Sequence, residues 1–445
     1  SDIQLTIEPD PQIGNNPSVD IFNTKIYTSG SLKDGIYIKN AGALDIENVT
    51  IDNFRNGIVI DLLTIPAGKS SRRITNNTVT FDVGTTNKLG QQIGIQVQNT
   101  NDIEIENNNI ENGDIGIEMS SSSGRITNNT VTFDVGTTNK DKLLGKIAIN
   151  VISGTDVEIT DNDIWIADST SALISAINVE NSSAQIYYNK INFYNHNSLV
   201  RNGIVFNDVL DSTYAYNNTI FNARKGVNNT PGFYSVDFIN NIIWNDGTYS
   251  SNVDNPDSIN FYNNNIEDMT GITGTGNISS DPLCIDPSTN DLVISTSSPC
   301  KNTGLAVSGF HILDTNYFGD APEIGAVEYY EISLTAPGDA TISMTDSTFT
   351  LGWSAVSGAT SYDVYSSNDP YGTFTLEVNV VTTSWTDTDI TSMKKFYYVI
   401  ASESSKNAGY VREHDSLSKI VEDKKYKVIK KRIPKKIRRT TNLNK

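Results

Sequence analysis

The sequence predicts an all-β chain: a solenoid of stacked coils, then a second β domain, then a basic tail. Three observations lead there. Sixteen residues, Arg73 to Lys88, return letter for letter as Arg125 to Lys140, 52 positions later, so the chain is built by stacking a unit. Around these copies runs a looser frame, an apolar residue, two variable residues, Asn, one variable residue and an apolar residue. It places Asn77, Asn108, Asn129, Asn162, Asn189, Asn218, Asn241 and Asn264 at intervals of 31, 21, 33, 27, 29, 23 and 23 residues. A floor in the low twenties with longer intervals above it describes a fixed coil carrying loops of variable length. Ile46, Val49 and Ile51 keep the spacing without the Asn.

A second short segment, Gly/Ala-Ile/Val-x-apolar, sits in most intervals, as in Gly35-Ile36-Tyr37-Ile38, Gly94-Ile95-Gln96-Val97 and Ala148-Ile149-Asn150-Val151. Both segments alternate inward apolar with outward polar residues, the period of a half-buried strand. Asn, Gly, Asp and Ser separate them and suit tight turns. A single coil cannot bury its own Ile and Val, whereas stacked coils form a continuous core with strands bonded from coil to coil. The Asn amide both donates and accepts, so Asn residues stacked at one corner are expected to form an internal ladder. The alternative is that each Asn simply favours its turn and faces water.

Residues 1–330 resemble the right-handed parallel β-helix family. Ser280-Asp281-Pro282-Leu283-Cys284-Ile285-Asp286-Pro287, Ser297-Ser298-Pro299-Cys300 and Ala321-Pro322-Glu323-Ile324-Gly325-Ala326-Val327-Glu328-Tyr329 are similar to the closing segment of bacterial β-helix surface proteins. The resemblance implies a secreted or cell-surface location but no particular activity, since this fold hosts lyases, hydrolases, adhesins and stalks alike. In that setting Cys284 and Cys300, the only cysteines, are expected to form a disulfide, with two free thiols as the alternative.

After Tyr330 the pattern changes, and residues 331–421 resemble a fibronectin type III domain, a β-sandwich. Trp353 is its expected core tryptophan, Tyr362 and Val364 face the core, and Tyr397 or Tyr398 is the corner tyrosine. Gly372, Phe374, Ser384 and Trp385 fall at turn and strand positions, and Ser416 to Val421 is the candidate last strand. Residues 422–445 carry +9 against −19 for the whole chain, leaving −28 for the rest. Such a basic run reads as an extended tail that contacts an anionic surface or stays disordered.

With 445 residues, 37% hydrophobic and 19% charged, the chain is long enough for two or three domains, and no apolar run approaches a membrane span. A start at Ser1 reads as a mature or trimmed product. His196, His311 and His414 show no metal-ligand spacing, and there is no nucleophile elbow or phosphate loop.

Carboxylates are the remaining route to catalysis. Asp102, Glu104 and Glu106 point outward on one strand, Asp156 and Glu158 on the equivalent strand of a later coil, and Glu118 on the other kind of strand. A lyase acting on acidic glycans would use such acids, Ca²⁺ as a possible cofactor, and a base such as Lys142, Lys146, Arg201, Arg224 or Lys225. The coil between the two acidic strands offers Arg125 and Thr127 instead, so the acids are expected to form a solvated face.

Tyr187, Tyr216 and Tyr262 share one outward position, with Tyr214 nearby. They are glycan-binding candidates, or alternatively sheet packing beneath a loop. The reading that fits these features is a non-catalytic structural or adhesive protein that binds polysaccharide. The alternatives are a polysaccharide lyase or hydrolase and a self-assembling filament or surface-layer subunit, for which open solenoid ends supply unpaired edges.

Overall fold

The computed structural model describes residues 5–411, with gaps at 8–17, 28–33, 40, 63–71, 82–90, 135–144, 168–172, 195–199, 231, 246–251, 307–316, 318–319, 331–333, 335, 339, 346–347, 358, 368–373, 388–395 and 403–408. The three histidines, Lys142, Gly372, Ser416 to Val421, the basic tail and most of the two duplicated loops lie outside the described residues. The chain is nearly all β and forms two compact units, one up to Glu328 and one from Tyr329.

The first unit is a parallel β-helix of three stacked sheets with ten, eleven and ten strands. Each complete coil contributes one strand to each sheet, and Gly274–Thr275 adds the eleventh strand to the second. One coil, for example, runs through Ile93–Gln98, Ile103–Glu106 and Asn109–Glu111, and the next through Ile115–Ser120, Gly124–Thr127 and Thr130–Phe133. Pairing is parallel and in register, as in Ile95↔Ile117, Ile105↔Ile126 and Ile110↔Val131. The inward residues of all three sheets form one apolar core through the stack.

The Asn frame, which on paper reads as a single strand, is two strands divided at the Asn. The residue before each ladder Asn adopts the left-handed conformation, at Asn76, Asn107, Asn128, Asp161, Tyr188, Asn217, Asn240 and Asn263, with φ between 50° and 57°. Among residues with a side chain that conformation costs least for Asn and Asp, whose polar groups compensate locally, and it turns the chain from the second sheet into the third. Tyr188 is the bulky exception.

The ladder itself is continuous. Asn129 Nδ2 donates to Asn162 Oδ1 (3.0 Å) and to Ile105 O (2.9 Å), while its Oδ1 accepts from Asn108 N (3.0 Å) and Asn108 Nδ2 (2.9 Å). The same exchange joins Asn77 to Asn108, Asn162 to Asn189, Asn189 to Asn218, Asn218 to Asn241 and Asn241 to Asn264. At one end Val49 N donates to Asn77 Oδ1, which explains why the Asn-less coil keeps the frame. At the other end Asn277 adds a ninth member, only 13 residues after Asn264.

The small residue that opens each first-sheet segment has a packing reason. A Cβ on Gly94 would lie 2.6 Å from Ile110 Cγ2, and one on Gly116 would lie 2.7 Å from Val131 Cγ1. Gly or Ala at that place lets the first sheet approach the inward column of the third.

The described residues of 283–306 and 320–328 turn back along the outside of the helix as a strap. Asn192 Nδ2 donates to Pro287 O (2.7 Å), Gly325 N to Asn240 O (2.7 Å) and Ala326 N to Thr219 Oγ1 (2.9 Å). Asn217 Nδ2 donates to Glu323 O (2.9 Å), so left-handed corner residues also bind the strap. Cys284 and Cys300 belong to it and are both free thiols, which corrects the expected disulfide. Burial pushes both thiols up, Cys300 to about 11, and Cys300 Sγ accepts from Asn265 Nδ2 (3.0 Å). Each is thereby held as a protonated packing residue.

In the second unit two three-stranded antiparallel sheets share one core. Trp353, Tyr362 and Val364 are buried there, and the Trp353 and Tyr362 rings meet edge to face at 5.4 Å. Tyr397 OH donates to Asp387 Oδ2 (2.8 Å), while Tyr398 is exposed.

The ladder predicts a specific stability pattern. Asn129→Ala should cost about 1–3 kcal/mol in urea unfolding, because it strips partners from buried backbone groups. Thr130→Ala, exposed on the adjoining strand, should cost less than about 1 kcal/mol. Equal losses would mean that the ladder does not hold the corner.

Candidate functional site

The turns that join the first sheet to the second stack into a row along one edge. They include Asn99-Thr100-Asn101-Asp102, Ser121-Ser122-Ser123-Gly124 and Ser153-Gly154-Thr155-Asp156. Hydroxyls tie the row together, since Thr100 N donates to Ser122 Oγ (3.0 Å), Gly154 N to Ser182 Oγ (2.8 Å) and Asp156 N to Ser183 Oγ (2.8 Å). The middle turn carries only three serines and a glycine between neighbours with larger side chains. Gly124 has φ 141°, and a Cβ there would fall 2.1 Å from Ile103 O, so the position requires glycine. The result is a notch, part of a groove of about 820 Å³ lined by these turns and by Glu104, Arg125 and Glu158.

Beside the notch the second sheet carries a column of alternating charge. Asp45, Arg73, Glu104, Arg125 and Glu158 are cross-strand neighbours in direct register. Arg125 Nε lies 3.0 Å from Glu158 Oε2, Arg73 Nε lies 3.7 Å from Glu104 Oε2, and Tyr187 OH donates to Glu158 Oε2 (3.0 Å). The internal duplication builds this pattern, because it sets identical arginines two coils apart on either side of Glu104. Glu104 and Glu158 are therefore parts of an ion-paired ladder, a feature that reading the acids alone did not reveal.

Burial opposes the charge of Arg125, but Glu158, Tyr187 and Glu104 outweigh it and hold the guanidinium above its ordinary range. Arg125 stays cationic and cannot serve as a proton acceptor. The candidate bases lie elsewhere. Lys146, Arg201 and Lys225 belong to first-sheet strands, where Lys146 sits 5.1 Å from the Phe133 ring centroid, Arg201 is buried and Lys225 pairs with Asp254. Arg224 precedes the same strand as Lys225. Glu118 is on the first sheet too, accepting from Gln96 Nε2 (2.8 Å) and Asn150 Nδ2 (3.0 Å), away from Glu104 and Glu158. Among the described residues no three of His, Cys, Asp and Glu converge to hold a metal ion, and no helix is long and apolar enough to cross a membrane.

Of the two readings of the tyrosine column, sheet packing describes it and an exposed platform does not. Tyr187 and Tyr216 stack at 4.8 Å with planes 3° apart, but they are only 3% and 0% exposed. They form a small apolar cluster with Tyr188 and Ile239, with Tyr214 and Tyr262 half-buried at its margin. The strap held by Asn217, next to Tyr216, crosses the adjoining corner, so these rings pack rather than offer faces to a sugar. Thr127, also placed outward by alternation, is likewise buried. Arg72 was missed altogether: it takes an inward position between Leu44 and Ile103 and donates from Nη1 to Asn101 O (2.9 Å) at the groove.

No family model, curated protein or solved structure matches the chain.

Glu106, next to this column, gives a pH prediction. Burial raises its carboxyl pKa, the neighbouring Glu104 raises it further, and Arg73 and Arg125 only partly oppose them. Because the folded pKa lies above the unfolded one, Glu106 favours folding while protonated, and that contribution is lost as pH rises through the folded value. Glu106→Gln should therefore raise the Tm at about pH 7 and leave it nearly unchanged at about pH 4. A Tm difference independent of pH would show that ionisation of Glu106 carries no penalty.

Proposed function

We propose that the chain is a non-catalytic structural and adhesive module of a secreted or cell-surface protein, and that it binds polysaccharide in the notched groove of its β-helix. The observation that carries this reading is the notch itself. A row of serine hydroxyls is flanked by Asp102 and Asp156, with the ion-paired Glu104, Arg125 and Glu158 alongside. Hydroxyls, carboxylates and a guanidinium together donate and accept many hydrogen bonds, as sugar hydroxyls require. Four acids against one arginine favour a neutral polysaccharide over an acidic one.

A lyase is less well supported by this geometry. Glu104 and Glu158 are engaged by Arg73, Arg125 and the Tyr187 hydroxyl, and Arg125, the cation that lines the groove, is held in the protonated form. The second unit, read as fibronectin type III-like, would space or present the binding unit.

Affinity electrophoresis in gels containing hydroxyethyl-cellulose, mixed-linkage glucan, xylan or galactomannan tests this reading. At least one polymer should retard the protein, and Arg125→Met should weaken that retardation by about tenfold through loss of charged hydrogen bonds. Its Tm should change little, because exposed ion pairs contribute about 0–1 kcal/mol. Retardation by none of the four, or ultraviolet-absorbing unsaturated ends released from polygalacturonate, would overturn the assignment.

A further inference from the structure

The edge that carries the notch continues past it. Gln98, Ser120, Ile152, Glu180, Asn207 and Thr230 are successive register partners at the ends of first-sheet strands. The turns that follow them must therefore stack in one row. Backbone bonds confirm the stacking: Thr155 N donates to Ser122 O (3.0 Å), Ser183 N to Gly154 O (3.1 Å) and Leu210 N to Ser182 O (2.8 Å). Beyond the notch the row passes over the small residues Asn181, Ser182 and Ser183 to the turn at Asp208–Thr213, and then to the loop before Val236.

That loop ends in an apolar tip. Phe233 is 99% exposed and Tyr234 45%, with Leu210 of the preceding turn at 42%. Phe233, Tyr234 and Leu210 lie on adjacent turns of one edge, a grouping rather than apolar residues scattered singly, and grouped exposed apolar surface marks a contact site. The loop is seated rather than free of its neighbours. A Cβ on Gly232 would come within 2.7 Å of Asp208 Oδ1, and Asn260 Nδ2 bonds Ser235 Oγ at 3.4 Å. The tip lies four coils from the notch, or about 19 Å at the usual strand spacing.

We propose that Phe233 and Tyr234 form a second, aromatic subsite for the same polysaccharide, so that one extended glycan chain lies parallel to the solenoid axis from the notch to this tip. The inference rests on the groove reading and extends it. Aromatic faces stack on the apolar faces of sugar rings, and the hydroxyl-rich notch supplies the polar end. The ligand class is thus a neutral polysaccharide recognised along its length, at internal units rather than at a chain end.

The test uses the full chain and oligosaccharides prepared from whichever polymer retards it, a trimer and an octamer, with affinities measured by calorimetry. The octamer should bind more tightly than the trimer. The double variant Phe233→Ala, Tyr234→Ala should lower octamer affinity about fivefold or more and leave trimer affinity unchanged, whereas Arg125→Met should lower both. Octamer binding unaffected by the double variant, together with a loss at Arg125→Met, would overturn the extended track and leave the groove standing. Loss of both lengths in the double variant, with none at Arg125→Met, would overturn the groove reading instead. A change in sedimentation caused by the double variant without ligand would assign the tip to contact between copies, and would also overturn the proposal.

Discussion

The asparagine ladder is the interaction on which the rest of the first unit depends. Each coil must turn from the second sheet into the third through a left-handed residue, and such a turn leaves buried backbone groups without partners inside its own coil. The stacked amides supply those partners, and each amide is completed only by the coil on either side of it. Buried polar groups are costly when unpaired and cooperative when fully paired, so the ladder enforces register as well as stability. With the corner fixed, the inward Ile and Val columns superpose, and the outward columns superpose with them. The charge column at Glu104 and the serine row at the notch are consequences of that registration.

The internal duplication takes on a different meaning once the coils are in place. Repetition by itself would give a surface of repeated, equivalent elements. In the fold, the described part of each copy returns two coils later, so Arg73 and Arg125 bracket a strand of unlike sequence. Opposite charges directly across neighbouring strands stabilise a sheet modestly and like charges destabilise it. Inserting the acidic strand Ile103–Glu106 between two arginine-bearing copies yields the favourable alternation at every step. A duplicated segment therefore contributes to a locally unique site through its neighbours.

Much of the fold was legible because the solenoid writes its period into the chain. The eight ladder positions and the two recurring strand segments follow from spacing and alternation, whereas the core residues Trp353, Tyr362 and Val364 of the second unit come from the resemblance of that segment to a β-sandwich. The third sheet was not legible, since a single left-handed residue divides what alternation reads as one strand. Asn277 was missed because its coil is short. Tyr187 and Tyr216 were placed in the correct column, and their mutual stacking follows from it. Their burial does not, since the strap beside them comes from more than a hundred residues away, as the Asn217–Glu323 bond does. Of the candidate site, the acids were visible in sequence. The notch was not, because it is defined by what Ser121 to Gly124 lack relative to the turns above and below.

The strap gives the solenoid a direction under load. Its contacts reach Asp163, Asn192, Thr219, Asn240 and Asn265, which belong to five successive coils. Tension that peels the last coils away from the C-terminal side must break these contacts together with the strand pairing. Among the described residues, the N-terminal coils carry no such lashing. Under tension the coils outside the strap should therefore separate one at a time, and the five lashed coils should yield abruptly and together.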